Sequence, residues 1–122
     1  MSDFKELADR YIAAWNEPDA DVRRAAIGGL WADDGTYTDP LASVVGHDAI
    51  AAVVAGARER FPGYMFRLLG PVEGHHGIGR FAWELVPGAG GESVVEGSDV
   101  AVVGDDGRIK GVYGFLDKVP AA

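Results

Sequence analysis

The sequence predicts a single α+β domain in which three N-terminal helices pack on a curved, mainly antiparallel sheet. In the first half of the chain, apolar side chains recur at helical spacing in three segments. In the second half, apolar and polar side chains alternate as they do along strands. The chain has 122 residues, 48% of them hydrophobic, which fits one domain with a buried core. We therefore predict one domain over residues 1–122.

Three segments of the first half predict helices. Ser2 is the expected cap of the first helix. The second helix presents Val22, Ala26 and Leu30 on one face, which we expect to turn towards the core. Pro62 and the glycine after it end the third helix. The predicted helices cover about residues 3–15, 21–31 and 47–61.

The other segments predict one strand before the third helix and an antiparallel meander after it. Residues 32–35 predict a turn, and Pro40 stops the short strand that follows. In the longest strand, Asp99 shares one face with Val95 and Val103, and the other face carries valines too. We expect one face to meet the helices and the other to form a homodimer surface. The predicted strands cover about residues 35–39, 64–69, 78–86, 92–103 and 108–116.

Composition and charge exclude several classes of function. The formal net charge is -8 and no basic stripe is present, which disfavours nucleic acids and anionic membranes as partners. No apolar run approaches the roughly 18 residues of a membrane span, and no signal-peptide pattern opens the chain. The absence of cysteine excludes disulfides and thiolate metal sites. We therefore expect a cytoplasmic protein.

Three polar residues fall where the patterns predict the interior. Tyr11 lies on the apolar stripe of the first helix, Asp39 ends the first strand, and Asp99 lies among apolar residues of the long strand. In an apolar cavity a carboxylate loses hydration and its pKa rises, so one carboxylate can act as a base while another stays protonated. A tyrosine hydroxyl can donate a hydrogen bond to a developing oxyanion. The three residues together predict an acid/base site.

Each of these residues also has a purely structural interpretation. Tyr11 can be a core residue whose hydroxyl is bound to backbone or water. Asp39 can serve the turn that Pro40 makes. Asp99 would face solvent if the strand register were shifted by one residue.

The remaining candidates concern metals and the lining of a cavity. His75 and His76 are adjacent on a strand and point to opposite faces, so we predict no metal site; His76 is a candidate for the mouth of a cavity, with a surface position as the alternative. No nucleotide-binding or phosphate-binding motif is present, and we predict no cofactor. The aromatic residues predicted to build the core, some of them lining the cavity, are Trp15, Trp31, Tyr37, Phe61, Phe66, Phe81 and Trp83.

Several stretches of the chain, taken in order, resemble one known group of proteins. They are residues 10–12 (Arg-Tyr-Ile), 31–40 (Trp-Ala-Asp-Asp-Gly-Thr-Tyr-Thr-Asp-Pro), 46–50 (Gly-His-Asp-Ala-Ile), 70–72, 75–85, 98–100 (Ser-Asp-Val), 106–109 and 114–117. The chain is similar to the SnoaL-like branch of the nuclear transport factor 2-like superfamily over nearly its whole length. This resemblance implies a cone-like α+β barrel, a pocket for a small hydrophobic molecule between helices and sheet, and frequent homodimers. It does not imply one reaction, because the superfamily includes isomerases, cyclases and plain binding modules.

The ketosteroid isomerases give the sharpest comparison within this superfamily. Their general-base aspartate precedes a proline, as Asp39 does, and their oxyanion-binding tyrosine lies in an Arg-Tyr-Ile stretch, as Tyr11 does. Their protonated aspartate precedes a valine on the long strand, as Asp99 does. Two positions depart from that pattern: Val54 stands near the place of a supporting tyrosine, and Leu116 replaces an aromatic residue near the pocket.

Two hypotheses of function follow, with a third that lacks a ligand. The first is an isomerase-type or cyclase-type enzyme that transfers a proton beside a carbonyl of a hydrophobic substrate, with Asp39 as base and Tyr11 and Asp99 stabilising the enolate. The second is a non-catalytic binding domain whose carboxylates are held by fixed hydrogen bonds. The third is a dimerisation module with a filled interior.

Overall fold

The computed structural model describes residues 3–120 and shows three helices on one face of a six-stranded sheet. The α+β class and the order of helices before the main strands are as predicted. The helices are α1 (Phe4–Asn16), α2 (Ala20–Leu30) and α3 (His47–Arg60); the strands are β1 (Trp31–Asp39), β2 (Ala42–Val45), β3 (Tyr64–His75), β4 (Ile78–Pro87), β5 (Val95–Val103) and β6 (Ile109–Lys118).

The sheet is mixed and open rather than a closed barrel. Its strand order is β2-β1-β6-β5-β4-β3, and the pairing of β1 with β6 is parallel while the other four pairings are antiparallel. Within residues 3–120 the edge strands β2 and β3 do not pair with each other. The barrel expected from the resemblance is therefore a curved sheet closed off by helices.

The first two helices begin at aspartate caps. The Asp3 side chain accepts a hydrogen bond from the backbone N–H of Glu6, and Asp19 accepts from the two residues that follow Ala20. Ser2, the predicted cap of α1, lies outside the described residues. The caps place both helix starts within one residue of the prediction.

The predicted inward face of α2 is correct for Leu30, which is buried, and for Ala26, which is half-buried against the core, but it is wrong for Val22. Val22 is 53% exposed, whereas Arg23, Ile27 and Leu30 are buried. Ile27 and Leu30 both pack into the core, and a helix that buries them brings position 23 to the same face and turns Val22 away. Arg23 is accommodated there because its guanidinium donates to the backbone oxygen of Glu17.

Residues 32–35 form part of β1, not the predicted turn. The register between β1 and β6 shifts between Trp31 and Thr36, which is a bulge that lets the strand start earlier. Gly35 permits this, because a Cβ at that position would lie 2.7 Å from the Trp31 indole. No sequence signal predicts β2, a four-residue strand that pairs with β1.

The long strand β5 alternates between buried and half-buried residues along its whole length, as predicted. The face that carries Val95, Asp99 and Val103 meets the helices. The expected alternative of a register shifted by one residue is therefore wrong, and Asp99 lies inside. No helix within residues 3–120 is both long and apolar enough to cross a membrane.

Candidate active site

A cavity of about 360 Å³ lies between α1, α3 and the inner face of the sheet. Most of its lining is apolar and aromatic, and its charged lining residues are Asp39, Asp99 and Arg60. A water molecule takes about 30 Å³ of liquid volume, so this space counts against the filled interior of a pure dimerisation module. Two tyrosine–aspartate pairs face this cavity.

The first pair joins α1 to β5. The hydroxyl of Tyr11 donates a hydrogen bond of 3.0 Å to Oδ2 of Asp99, which is 3% exposed. Burial raises the pKa of Asp99 from its ordinary value of 3.8 to about 6. The hydrogen bond from Tyr11 and the indole of Trp83 oppose this effect, and the negative charges of Asp39 and Asp117 add to it. Burial and the negative charge of Asp99 likewise raise the pKa of Tyr11 well above its ordinary value. The Asp99 carboxyl group can therefore gain or lose a proton near neutral pH.

The second pair lies within β1. The hydroxyl of Tyr37 donates to Oδ2 of Asp39 over 2.8 Å. The other carboxylate oxygen, Oδ1, accepts from the backbone N–H groups of Leu41 at 2.8 Å and Ala42 at 2.9 Å. These two bonds close the turn between β1 and β2, so Asp39 serves both the turn and the cavity. Burial is the main cause that raises the pKa of Tyr37 above its ordinary value.

The two pairs are brought together by a glycine that sequence reasoning did not single out. Strand β6 lies between β1 and β5, and its residue Gly114 pairs with Asp99. A Cβ at Gly114 would lie 2.6 Å from Oδ1 of Asp99 and 3.5 Å from Cβ of Asp39. A side chain at this position would displace Asp99, so the glycine leaves the room in which the two carboxyl groups approach each other.

Most of the aromatic residues predicted for the lining are found there. The predicted lining residues that face the cavity are Trp15, Tyr37, Phe61, Phe66, Trp83 and Leu116. Trp83 packs against Gly97 of the neighbouring strand, and a Cβ at position 97 would collide with the indole ring. The Trp83 indole lowers the pKa of Asp99.

Three candidate lining residues lie outside the cavity lining: Trp31 and Phe81 belong to the core, and His76 takes the surface position that was its alternative. Trp31 is fully buried behind the cavity, where its indole N–H donates to the backbone oxygen of Thr36. Phe81 packs edge-on against Tyr11, with 5.2 Å between ring centroids, and supports that ring from the core. His76 is exposed at the turn between β3 and β4, away from the lining.

The two histidines differ from the geometry expected of neighbours on a strand. His76 has a φ of 53°, a left-handed conformation that β-strands do not contain. This turn places Nδ1 of His75 3.4 Å from Nδ1 of His76 instead of directing the rings to opposite faces. Across residues 3–120, no three histidine, cysteine, aspartate or glutamate side chains are grouped so as to hold a metal ion.

Other lining residues come from segments that carried no functional signal. Small residues of α3, Ala52 and Gly56, leave space along the helix face that meets the cavity. Val119 and Pro120 follow β6 and also contact this space. Their contribution depends on how α3 and the residues after β6 fold over the sheet, which local patterns do not encode.

The comparisons with known proteins agree with this architecture. The SnoaL-like domain family matches residues 8–112. A solved structure from Agrobacterium tumefaciens str. C58, of the SnoaL-like family and named as a candidate isomerase, is 43% identical with a TM-score of 0.88, and the match covers 93% of this chain and 97% of that one. No curated protein matches the chain at a significant level.

More distant structures share the fold alone. A candidate polyketide cyclase from Sinorhizobium meliloti is 18% identical with a TM-score of 0.69, over 89% of this chain and 93% of that one. A nuclear transport factor 2-like protein from Cytophaga hutchinsonii is 12% identical with a TM-score of 0.67, over 96% of this chain and 92% of that one. The chain therefore belongs to the SnoaL-like domain family and has the nuclear transport factor 2-like fold.

Proposed function

We propose that the protein binds a hydrophobic carbonyl compound in its cavity and catalyses proton transfer at the carbon beside the carbonyl, without a cofactor. The observation that carries this proposal is the presence of two tyrosine–aspartate pairs, one buried and one half-buried, side by side in a largely apolar cavity. The 43%-identical relative named as a candidate isomerase supports the same class of reaction. The substrate we expect is a β,γ-unsaturated ketone or a ketone that undergoes aldol-type cyclisation.

Asp39 is the proposed proton acceptor. Its carboxylate takes the proton from the carbon beside the carbonyl; the electrons of the broken C–H bond form a carbon–carbon double bond, and the carbonyl π electrons move to oxygen as an enolate. In an isomerisation, Asp39 then returns the proton to the γ-carbon. The three hydrogen bonds that Asp39 accepts fix its position, and Oδ2, which accepts one of them, keeps a lone pair for the substrate proton.

Tyr11 and Asp99 are the proposed partners of the enolate oxygen. When Asp99 is protonated, its O–H can donate to the oxygen of Tyr11, which frees the Tyr11 hydroxyl to donate to the ligand. Alternatively the Asp99 carboxyl group donates to the ligand itself. Aromatic walls around this oxygen exclude water, and hydrogen bonds to a developing charge are stronger in such surroundings.

The protonation of Asp99 predicts a pH dependence of catalysis. Its pKa of about 6 means that the carboxyl group loses its proton as the pH rises through that value. We expect kcat/KM for a β,γ-unsaturated ketosteroid to fall as the pH rises through about 6, and the fall to disappear in Asp99→Asn, whose side chain is neutral throughout. A wild-type kcat/KM that does not fall over this range would contradict the role of Asp99 as a donor to the enolate oxygen.

A second candidate function is ligand binding without turnover. The three hydrogen bonds that Asp39 accepts favour it, because a carboxylate fixed in a turn is a structural element first. In that case Asp39→Asn binds the same ligands as the wild type, and neither protein converts the ketone. Calorimetric binding measured beside the turnover assay separates the two functions.

We also propose that two copies pair through the outer face of the sheet. Tyr113 is 45% exposed and Phe115 is 63% exposed, and both lie on the face of β6 that is turned away from the cavity. Val100 and Ser98, their antiparallel neighbours on β5, extend this face as partly exposed residues. Large aromatic side chains exposed together on the outer face of a sheet are typical of an interaction site.

Phe115→Glu tests this pairing. We expect wild-type protein to sediment as a dimer and the variant as a monomer, because a charge at this position must be desolvated in the interface. Asp105→Asn, in the exposed turn between β5 and β6, is the control and should sediment like wild type. A monomeric wild type at high micromolar concentration would refute the pairing and leave the cavity unaffected.

A further inference from the structure

We propose that the indole N–H of Trp15 and the hydroxyl of Tyr11 together bind the oxygen of the ligand's carbonyl, so that Trp15 is a second hydrogen-bond donor of the site. This inference rests on the proposed function, since it concerns the same ligand oxygen. Sequence patterns place Trp15 in the core as apolar lining, and no chemical role follows from that position. The role follows instead from the partners of its indole nitrogen.

Trp15 carries an unpaired donor. The residue is 7% exposed, and its Nε1 is the one buried side-chain nitrogen or oxygen without a hydrogen-bond partner between residues 3 and 120. Buried polar groups almost always have partners, and an exception calls for an explanation such as a binding or catalytic role. An acceptor supplied by a ligand would satisfy this donor.

The neighbours of the indole place it beside the acid/base groups. Trp15 follows Tyr11 by one helical turn on α1, with 6.1 Å between the ring centroids. On its other sides the indole contacts Tyr37, at 5.7 Å, and Phe66, at 5.2 Å between centroids. It therefore lines the cavity between the two tyrosines whose hydroxyls bind the aspartates.

The Trp15 indole also acts electrostatically on the Tyr11 hydroxyl. Although no hydrogen bond joins the two side chains, the Trp15 indole lowers the pKa of Tyr11, an effect that a donor near the hydroxyl oxygen produces. A carbonyl oxygen has two lone pairs and can accept from both donors at once. Both bonds strengthen as the oxygen becomes an enolate, which is how such donors accelerate a reaction.

Within residues 3–120, neither of the other two tryptophans has a buried indole nitrogen without a partner. The Trp31 indole donates to the backbone oxygen of Thr36 over 3.1 Å. The Trp83 side chain is half-buried, and its indole lowers the pKa of Asp99. Trp15 thus differs from both, and the three indoles provide their own comparison in one experiment.

Indole N–H resonances test the proposal directly. The chain has three tryptophans, so a ¹H–¹⁵N spectrum of the full-length protein holds three indole signals, each assigned by a Trp→Phe variant. The probe is 2-naphthol, a planar aromatic with the oxygen of an enol, and its matched control is naphthalene. We expect 2-naphthol to move the Trp15 proton downfield, naphthalene to lack this effect, and the Trp31 signal to stay in place with both.

Affinity gives a second measurement. Trp15→Phe keeps the aromatic wall and removes the donor, so we expect the Kd for 2-naphthol to rise about tenfold while that for naphthalene changes little. Equal weakening of both probes, a Trp15 signal that responds equally to both, or no binding of 2-naphthol at its solubility limit would overturn the inference. If the variant does not fold, the wild-type spectra decide alone.

The outcomes distinguish this inference from the proposed catalysis. A Trp15 signal that responds to 2-naphthol in a protein that converts no ketone supports the two-donor site and rejects the enzyme. If the protein converts a ketone but 2-naphthol does not shift the Trp15 indole signal, the enzyme is supported and Trp15 is rejected as a donor.

Discussion

Asp39→Asn is expected to lower kcat for a β,γ-unsaturated ketosteroid by at least about 10²-fold, the usual contribution of a positioned general base. The amide oxygen of asparagine can still accept from the backbone N–H groups of Leu41 and Ala42, so the turn between β1 and β2 is preserved. The substitution removes the group that accepts the proton, and the amide Nδ2 can donate to the Tyr37 hydroxyl oxygen in place of the bond that Oδ2 accepts. The assay is the ultraviolet absorbance of the conjugated enone product.

Asp105→Asn is the matched control for this loss of activity. It removes the same charge from an exposed turn, outside the cavity lining, and its kcat should equal that of the wild type. Thermal unfolding of both variants checks that the fold is intact. An Asp39→Asn variant with kcat within about twofold of wild type would fall far short of a general-base contribution and show that another group takes the proton.

Asp99→Asn is expected to stabilise the protein at pH 8 by up to about 3 kcal/mol. The pKa of Asp99 is raised from 3.8 to about 6 in the folded state, and each unit corresponds to about 1.4 kcal/mol. Because the folded pKa is the higher one, the stability that protonated Asp99 contributes is complete below about pH 3.8 and is lost as the pH rises to about 6. Asparagine mimics the neutral form at every pH and avoids this loss.

Urea unfolding of wild type and Asp99→Asn from pH 3.5 to pH 8 measures this effect. The difference in the free energy of unfolding should be small at the lowest pH, grow up to about pH 6, and then remain constant. Other carboxyl groups contribute alike to both proteins, so they cancel in the difference. A difference that does not vary with pH would mean that Asp99 is not desolvated when charged. Active-site residues commonly reduce stability in this way.

The positions of Tyr11 and Asp99 could be predicted because periodicity alone determines them. Alternation along β5 places Asp99 among valines on the inner face, and helical spacing places Tyr11 on the stripe of α1. Both signals extend over at least nine residues, which makes them robust to small errors in element ends. The hydrogen bond between them follows from the way α1 crosses the sheet, and no local pattern contains that information.

The errors in prediction occur where local signals are short or compete. Strand β2 has only four residues, too few for a periodic pattern. The first residues of β1 have the composition of a turn, and they form a strand only through the bulge between Trp31 and Thr36. In α2, Val22 is as apolar as the buried Ile27, so the helical phase depended on tertiary packing. The sequence predicts that Trp31 and Trp15 are both buried aromatic residues. Only the fold shows that Trp31 lies in the core and that Trp15 lines the cavity.

The central place of β6 in the sheet has a consequence for synthesis of the chain. Strand β6 follows the other five described strands in the chain, yet it lies between β1 and β5 and separates the two halves of the sheet. A nascent chain that ends before Ile109 can form helices and the β3–β4–β5 meander but cannot join the β1–β2 hairpin to it. Asp39 and Asp99 therefore reach each other only once β6 has left the ribosome, so this domain gains its site in a long-range folding step.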